Sequence, residues 1–464
     1  MTDLAFLEEL KTLVDAGKVL TDAASLETYG KDWTKHFSPA PVAIVFPKTT
    51  EQVQAVVRWA NQHQVALVPS GGRTGLSAGA VAANGEVVVS FDNMNQILAF
   101  NEMDRTAVCQ PGVATQQLQM FAEDKGLYYP VDFASAGSSQ IGGNIGTNAG
   151  GIKVIRYGMT RNWVAGMKVV TGKGDLLELN KDLIKNATGY DLRQLFIGAE
   201  GTLGFVVEAT MRLDRAPKNL TALVLGAPDF DSIMPVLHAF QNSLDLTAFE
   251  FFSDKALAKV LARGAVPAPF DPDCPFYALN EFEAGSEEVS EQALATFEHC
   301  VEQGWVLDGV MSQSEQQLEN LWKLREYISE TIAHWTPYKN DISVTVGQVP
   351  AFLRDIDEIV AKNYPDFEVV WFGHIGDGNL HLNILKPDNL SKDEFFAQCA
   401  VVNQWVFETV QKYNGSISAE HGVGMTKLDY LHYSRSPEEI AYMQANKAIF
   451  DPKGIMNPGK IFPV

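Results

Sequence analysis

The sequence predicts an α+β fold with two principal domains, and three observations support this prediction. The chain has 464 residues, whereas one domain usually takes roughly 100 to 200. Between about residues 38 and 213, strand-like and helix-like segments alternate and glycine is frequent. Beyond Asp214 glycine becomes sparse and the alternating segments lengthen. We therefore expect a second α+β domain there, built on an antiparallel sheet.

Composition and charge exclude several classes of protein. Hydrophobic residues make up 46% of the chain and charged residues 20%, which excludes a disordered or collagen-like chain. Asp and Glu number 57 against 36 Lys and Arg, a net charge of −21 that repels nucleic acids and anionic membranes. The four cysteines lack CxxC spacing, and neither a signal peptide nor an apolar run of about 18 residues occurs. These features predict a cytoplasmic protein with reduced thiols, no membrane span and no nucleic-acid partner.

The N-terminal segments read as a helix followed by a strand, a helix and a strand. The start, MTDLAFLEEL, predicts an acidic surface helix whose inner face is Leu7, Leu10, Leu13 and Val14. A strand over Val42–Phe46 precedes a helix with capping-box residues Thr49 and Gln52, and a strand over Val65–Pro69 follows. The buried face of this second helix is predicted to be Val53, Val56, Val57 and Ala60.

Two glycine-rich loops follow strands of this first domain. PSGGRTGLSAG lacks both GxxxxGK[ST] and GxGxxG, but its backbone N–H groups and the hydroxyls of Ser70, Thr74 and Ser77 can bind a pyrophosphate. The second loop carries six glycines between Gly137 and Gly151, with amide donors interspersed. The alternative is that both loops are only tight turns, although the second is longer than a turn requires.

A histidine-containing hairpin is predicted in the second domain. FEVVWFGHIGDGNLHLNIL reads as two strands around a GDGN turn, which would place His374 directly opposite His381 and Asn383 on the same face as His381. Downstream, SAEHGVG offers Glu420 beside His421. Two histidines and a carboxylate suit Zn²⁺, Mn²⁺, Fe²⁺ or Co²⁺. The alternative is that the histidines are structural.

A basic cluster is predicted in the same domain. ENLWKLREYISETI reads as a helix with Leu321, Leu324 and Ile328 inward, and Arg325 and Ser329 are neighbours four residues apart. Lys339 begins the next strand. These groups can bind a carboxylate, or they are ordinary surface charges.

The motifs resemble two domains of a known family. PSGGRTG, GSSQIGGNIGTNAGG, RYG and GAEGTLGFVVEATMRL, in this order, resemble the FAD-binding domain of the vanillyl-alcohol oxidase superfamily. FGHxGDGNLHLN and AEHGVG resemble the C-terminal domain of FAD-dependent D-2-hydroxyacid dehydrogenases, and DWTKHF is similar to the members that act on D-2-hydroxyglutarate. The resemblance covers nearly the whole chain.

The resemblance implies the domain organisation and a cofactor. It implies an N-terminal helical segment (1–37), a two-subdomain FAD-binding domain (38–213), a substrate and metal domain (214–425) and a segment that returns to the FAD domain (426–464). FAD is expected to be non-covalent, because Arg73 stands in the loop where covalent members often carry histidine. The implied FAD-binding residues are Pro69, Ser70, Gly71, Gly72, Arg73, Thr74, Gly75, Gly137, Ser138, Gly142, Gly143, Asn144, Thr147, Asn148, Gly150, Gly151, Glu200, Gly201, Val206 and Asn457.

The resemblance also implies site roles and a reaction. A divalent metal, with zinc as the first choice, would be held by His374, His381 and Glu420. His421 would bind substrate and act as the base while hydride passes from C2 of D-2-hydroxyglutarate, or D-malate, to flavin N5. The implied substrate-binding residues are Arg325, Ser329, Lys339 and Asn383, with Ser329 standing where the family has threonine.

Two alternatives and several partners follow from the same resemblance. The substrate could instead be D-lactate or glycolate, although the paired Arg325 and Lys339 favour a diacid. A non-catalytic flavin-binding subunit is a further alternative, which the presence of the base and all three metal ligands disfavours. The expected electron acceptor is an electron-transfer flavoprotein or a quinone, since no NAD motif occurs, and a homodimer is compatible with the sequence.

Overall fold

The computed structural model describes residues 3–34, 37–271 and 273–463, so Lys35 and His36 of the DWTKHF motif lie outside the described residues. The chain divides into two compact units. Unit 1 comprises Met1–Gly150, Gly158–Ala216 and Glu420–Val464, and unit 2 comprises Gly151–Tyr157 and Pro217–Ala419. This division differs from the predicted segments: residues 1–37 belong to the same unit as the FAD-binding segment, and residues 420–425 belong to unit 1.

Unit 1 contains a four-stranded sheet that begins the fold. Its strands lie in the order Val19–Leu20, Ala43–Val45, Val87–Ser90 and Leu67–Ser70. The last three are mutually parallel, as expected for strands joined through the helix Thr50–His63. The predicted inner face of that helix is confirmed, because its four residues are fully buried. Of the predicted capping box, Thr49 Oγ1 accepts from the Gln52 N–H, whereas Gln52 Oε1 accepts from Lys48 instead.

The C-terminal tail of the chain packs on this same sheet. The N–H of Leu67 donates to the carbonyl of Ile455, and the N–H of Asn457 donates to the carbonyl of Leu67. Ile455 and Met456 are buried in the core formed with the helices Asp3–Leu13 and Thr50–His63. Residues near the C-terminus therefore take part in the core of unit 1.

A second sheet of unit 1 is antiparallel. It has the strand order Ile97–Asn101, Thr106–Cys109, Gly204–Arg212, Val164–Thr171 and Leu176–Leu179. A two-stranded pair joins Asp214–Arg215 to Leu127–Tyr128. The other helices described in this unit are Ala23–Tyr29, Thr115–Asp124, Ile141–Thr147, Thr160–Trp163, Arg193–Phe196 and Pro437–Phe450.

Unit 2 is built on a seven-stranded sheet, and every strand pairing in it is antiparallel. The strand order is Asp308–Met311, Leu220–Ala227, Phe276–Glu283, Leu246–Ser253, Val369–Gly373, Asn379–Ile384 and Tyr338–Ser343. The described helices are Val154–Tyr157, Ile233–Ser243, Asp254–Ala262, Glu287–Glu302, Glu315–Ile332, Val349–Asn363 and Lys392–Lys412. The α+β prediction with an antiparallel sheet is confirmed.

One face of this sheet packs against the helix Glu315–Ile332. Leu321, Leu324 and Ile328 are buried there with Phe252 and Phe372, in one core cluster. Full burial of such a side chain stabilises the fold by about 1.5–3 kcal/mol. The predicted inner face of the helix is confirmed.

Among the described residues, no helix is both long and apolar enough to cross a membrane. The four cysteines are free thiols and all are buried. Burial raises the pKa of the Cys399 thiol to about 12, so this thiol stays protonated at neutral pH.

Candidate active site

The two glycine loops of unit 1 pack directly against each other. A Cβ at Gly72 would lie 2.1 Å from the carbonyl oxygen of Ser138 and 2.8 Å from the Cα of Ser139. No side chain fits into that space, so glycine is required where the first loop crosses the second. The loops that the sequence predicts to bind one cofactor are therefore adjacent.

Buried polar atoms near these loops suit an FAD molecule. Ser70 Oγ, Gln140 Oε1 and Asn457 Oδ1 are buried, and each lacks a hydrogen-bond partner among the described residues. An unsatisfied buried polar atom costs about 1–3 kcal/mol, which a hydroxyl- and phosphate-rich ligand can offset. A Cβ at Gly143 would meet no described atom within 4 Å, so there is open space beside the second loop. These features fit the cofactor that the resemblance implies.

Several predicted FAD-binding side chains are instead used within the protein. Arg73, in the left-handed region at φ 59°, donates to the carbonyl of Gly71 at 2.9 Å and pairs with Asp92 at 3.3 Å. Asn144 Nδ2 donates to Thr115 Oγ1 at 2.6 Å. These side chains shape the loops, which leaves glycine N–H groups as the expected ligand donors.

The other predicted FAD-binding residues lie along the same loops and on neighbouring segments. Val206 is on the strand Gly204–Arg212, and a Cβ at Gly201 would lie 2.7 Å from the ring of Pro69. Gly151 is the first residue of the short segment that belongs to unit 2. The predicted loop positions are Ser70, Gly71, Gly72, Thr74, Gly75, Gly137, Ser138, Gly142, Gly143, Thr147, Asn148 and Gly150.

Glu200 organises the backbone of unit 1. Its two carboxylate oxygens accept the N–H groups of Val423 and Gly424 at 2.7 and 2.8 Å. Burial raises the pKa of Glu200, and the two N–H groups oppose that shift. Asn457 Nδ2 donates to the carbonyls of Gly79 and Glu200. Glu200 and Asn457 therefore connect the glycine loops to the C-terminal segment.

The histidine hairpin of unit 2 has a different register from the predicted one. Phe372, not His374, is the partner of His381, so the predicted direct pairing is wrong. The chain turns through a 3₁₀ segment, Ile375–Asp377, and Gly378 at φ 84°, and a Cβ at Gly378 would lie 2.0 Å from the carbonyl oxygen of Val344. This turn shifts the centre of the hairpin by one residue.

The two imidazoles nevertheless lie close together, as predicted. His374 follows Phe372 by two residues, so its side chain shares the face of His381, and the ring centroids are 5.4 Å apart. Asn383 is on the same face and is buried. Two imidazoles at this separation can bind one cation between them.

Charged residues that sequence reasoning missed surround this pair. Glu250 Oε1 lies 2.8 Å from His374 Nδ1, and Glu250 Oε2 lies 2.8 Å from Arg325 Nη2. Asp341 is the strand partner of His381. A signal was present in the sequence, because LTAFEFFS contains one charge in a strand that is otherwise without charge. A charge in a strand buried along its whole length requires a charged or polar partner.

Asn379 and Asp377 complete the polar environment of the turn. Asn379 Nδ2 donates to Asp341 Oδ1 and to the carbonyl of Ile342, both at 3.0 Å. Burial raises the pKa of Asp377 to about 6, and the charges of Glu250 and Asp341 act in the same direction while His374 opposes them. The turn is therefore held to the strand Tyr338–Ser343 by side-chain hydrogen bonds.

The predicted basic cluster has two parts. Lys339 Nζ donates to Ser329 Oγ at 3.1 Å, and Lys339 is the strand partner of Asn383. Arg325 is not a surface charge: it is buried, pairs with Glu250, and its guanidinium carbon lies 4.7 Å from the ring centroid of Phe372.

Glu420 and His421 are the first two residues of the last segment of unit 1. The residue before them, Ala419, donates its N–H to the carbonyl of Asp341 at 3.2 Å. Asp341 is the strand partner of His381. Ala419, the last residue of unit 2, is therefore hydrogen-bonded to the strand beside His381. The predicted ligand and base roles of this pair stay predictions.

Comparison with known families identifies both parts of the chain. Residues 41–180 match the FAD binding domain family, and residues 216–461 match the family "FAD linked oxidases, C-terminal domain". The chain belongs to the FAD-linked oxidase family. FAD is therefore its cofactor, and this member of the family is an FAD-dependent oxidoreductase.

Relatives and a solved structure agree with this family. A D-2-hydroxyglutarate dehydrogenase of Stutzerimonas stutzeri is 87% identical over 100% of both chains. A protein of the same name from Xanthomonas citri pv. viticola is 55% identical over 100% of this chain and 98% of its own. The crystal structure of p-cresol methylhydroxylase covers 99% of this chain and 97% of its own, with a TM-score of 0.79 at 16% identity. The predicted vanillyl-alcohol oxidase type of fold is confirmed.

Proposed function

We propose that this family member oxidises D-2-hydroxyglutarate, and D-malate as a shorter diacid, to the 2-oxoacid with FAD and a divalent metal. The observation that carries the proposal is the pair formed by the buried His374 and the partly buried His381, with ring centroids 5.4 Å apart and a carboxylate beside each ring. The names of the two relatives support D-2-hydroxyglutarate as the substrate.

The proposed metal ligands are His374, His381 and Glu420. Two imidazoles and one carboxylate leave open positions for substrate on a Zn²⁺ ion. When bound, the metal supplies a Lewis acid that lowers the pKa of a substrate hydroxyl, and FAD supplies the two-electron acceptor.

His421 is the proposed base. Oxidation at C2 removes one hydroxyl proton and one hydride, and neutral His421 takes the proton. An imidazole suits this task because its ordinary pKa of about 6.5 lies close to neutral pH. Its neighbour in the chain, Glu420, is assigned to the metal, so ligand and base come from one short segment.

Lys339, Ser329 and Arg325 are proposed to bind the distal carboxylate of the diacid. Lys339 and Ser329 are already within hydrogen-bond distance of each other. Asn383, opposite Lys339 in the sheet, is proposed to bind substrate from the same face. D-Lactate and glycolate lack the distal carboxylate, so a site of this kind favours a diacid.

The test is anaerobic reduction of the flavin. Metal-replete protein is mixed with D-2-hydroxyglutarate, D-malate, D-lactate or glycolate, and the flavin absorbance band at about 450 nm is followed. Rapid bleaching by the two diacids supports the proposal. Bleaching by lactate or glycolate at an equal or higher rate contradicts the diacid assignment, and no bleaching by any of the four contradicts the reaction class.

Two variants separate the roles of base and substrate binding. His421→Asn should slow bleaching about 10²- to 10⁴-fold while the FAD content stays unchanged. Lys339→Met should raise the KM for D-2-hydroxyglutarate about tenfold and leave D-lactate little changed. Lys323→Met, on the helix that carries Ser329, is the matched control and should leave both substrates unchanged.

The proposed electron acceptor is an electron-transfer flavoprotein or a quinone. The bleached protein should regain its absorbance rapidly with one of these acceptors and slowly with NAD⁺, which stopped-flow absorbance measures.

A further inference from the structure

Glu250 is a buried carboxylate at the centre of the unit 2 sheet. It lies on the strand Leu246–Ser253, every residue of which is buried, and it is 1% exposed. Moving a carboxylate out of water costs several kcal/mol unless charged or hydrogen-bonding partners compensate. Its partners therefore account for its presence in this strand.

The first partner of Glu250 is His374. A carboxylate oxygen accepts hydrogen bonds, so the 2.8 Å contact between Glu250 Oε1 and His374 Nδ1 favours the imidazole tautomer that carries its hydrogen on Nδ1. The lone pair is then on Nε2, the nitrogen turned away from Glu250. Such a carboxylate fixes both the tautomer and the ring orientation of a metal-binding histidine.

The second partner of Glu250 is Arg325. Its Nη2 lies 2.8 Å from Glu250 Oε2, and its guanidinium also lies over the ring of Phe372. An ion pair on one side and an aromatic ring on the other restrict where the guanidinium can lie. One carboxylate thus links the side chain proposed for the distal carboxylate to a side chain proposed for the metal.

The contact between His381 and its neighbouring carboxylate is longer than the one at His374. His381 Nδ1 lies 3.8 Å from Asp341 Oδ1, which is longer than a hydrogen bond. That same oxygen accepts the side-chain N–H of Asn379 at 3.0 Å. Of these two contacts, the one between Glu250 and His374 is the shorter, 2.8 Å against 3.8 Å, so we expect the loss of Glu250 to disturb its histidine more than the loss of Asp341.

We infer that Glu250 is a positioning residue that holds His374 ready for metal binding and Arg325 ready for the substrate diacid. This inference rests on the proposed function. It predicts that one substitution, far from the glycine loops in the sequence, weakens both metal binding and the preference for diacids. Neither effect is expected of a residue that only compensates a buried positive charge.

The direct test measures metal affinity. Glu250→Gln keeps the size of the side chain but can present an N–H to His374 Nδ1, which favours the wrong tautomer. Zn²⁺ affinity of the FAD-loaded protein is measured by competition with a chromophoric chelator, and we expect a 10- to 100-fold weaker Kd. FAD content and the unfolding midpoint are recorded on the same samples.

Glu281 provides the matched control. It is another buried glutamate, on the adjacent strand Phe276–Glu283, where it pairs with Lys153 and accepts from Trp322 Nε1 at 2.8 Å. Glu281→Gln removes the same charge from the same sheet without touching a histidine, so its Zn²⁺ Kd should equal that of the wild type. Equal weakening in both variants would overturn the inference.

A second variant covers the case in which Glu250→Gln does not fold. Glu250→Asp keeps the charge beside Arg325 but shortens the side chain, so it should fold and still bind Zn²⁺ more weakly. At saturating Zn²⁺, its ratio of kcat/KM for D-2-hydroxyglutarate to that for D-lactate should fall about tenfold. Wild-type Zn²⁺ affinity and a wild-type ratio in this variant would refute the positioning role.

The outcomes also separate this inference from the proposed function. If the wild type binds Zn²⁺ tightly and Glu250→Gln binds it equally tightly, the positioning role of Glu250 is wrong and the metal site stands. If the wild type does not bind Zn²⁺, the proposed metal site is wrong, and the proposed role of Glu250 is wrong with it.

Discussion

The two glycine loops of unit 1 meet through a close main-chain contact, whereas on the histidine-bearing sheet face of unit 2 charged side chains contact each other. Gly72 meets the carbonyl of Ser138, and Glu200 accepts two backbone N–H groups. In unit 2, Glu250 instead contacts the side chains of His374 and Arg325. The buried carboxylate of Glu200 is therefore compensated by backbone N–H groups, and that of Glu250 by the side chains of a histidine and an arginine.

Each region is therefore sensitive to a different kind of substitution. Main-chain contacts depend on the space that glycine leaves, so an added methyl group should damage the loops more than a lost charge does. Side-chain contacts depend on charge and on hydrogen positions, so a substitution that only removes charge should damage the sheet face. The following predictions test this contrast, in order of decreasing effect.

The largest effect is expected from Gly72→Ala. Its Cβ would lie 2.1 Å from the Ser138 oxygen, so the two loops must separate and the FAD site is lost. We expect a loss of more than about 4 kcal/mol in the free energy of unfolding, measured with urea, and a colourless protein. Gly17→Ala is the control, because no described atom lies within 4 Å of that Cβ. A yellow Gly72→Ala protein of wild-type stability would contradict the packing of the loops.

Glu281→Leu should have the next largest effect. It leaves the ammonium of Lys153 buried without its carboxylate partner, which costs about 3–5 kcal/mol. Asp231→Asn, in an exposed pair with Arg354, should cost at most about 1 kcal/mol. Chemical denaturation measures both, and similar losses would show that burial does not control the strength of these pairs.

Glu200→Ala should cost about 2–3 kcal/mol, because it leaves the N–H groups of Val423 and Gly424 without their acceptors. Glu200→Gln keeps one acceptor oxygen and should cost less, since burial already raises the pKa of Glu200 and weakens its preference for the charged form. If the amide were as damaging as alanine, charge and not hydrogen bonding would hold this loop.

The smallest effect is expected at Asp32, where the substitution should change how the free energy of unfolding depends on pH. Burial raises the pKa of Asp32, against hydrogen bonds from the hydroxyl and N–H of Thr34. Above the ordinary aspartate pKa of about 4, the folded protein then holds more protons than the unfolded chain, so stability falls as pH rises to the raised pKa. Asp32→Asn should lack this decrease. Urea unfolding of both proteins across this pH range measures the difference, and parallel curves would contradict it.

Local patterns in the sequence were sufficient for much of the fold. The helix Thr50–His63, its buried face, and the strands that flank it follow from hydrophobic periodicity and a capping residue. The motif resemblance likewise predicted the family, and residues 41–180 match the FAD binding domain family. Such features depend on residues close together in the chain, so they can be read without a structure.

The register of the histidine hairpin could not be predicted from local sequence patterns. The two histidines were expected to share a face, and they do, but their register depends on Gly378 fitting against the carbonyl of Val344. That contact joins residues 34 positions apart in the chain. No turn rule includes it, so the predicted register was wrong by one residue at the centre of the hairpin.

The residue types available for chemistry follow from the amino-acid sequence alone: the glycine loops, the two histidines and the basic side chains near Arg325. Which of these residues contact each other depends on the folded structure, because Glu250 precedes His374 by 124 residues and Arg325 by 75. The physical reason is that a buried charge needs its partners within about 3 Å. In a sheet of seven strands those partners come from other strands and from the packed helix, whose order the sequence pattern does not specify.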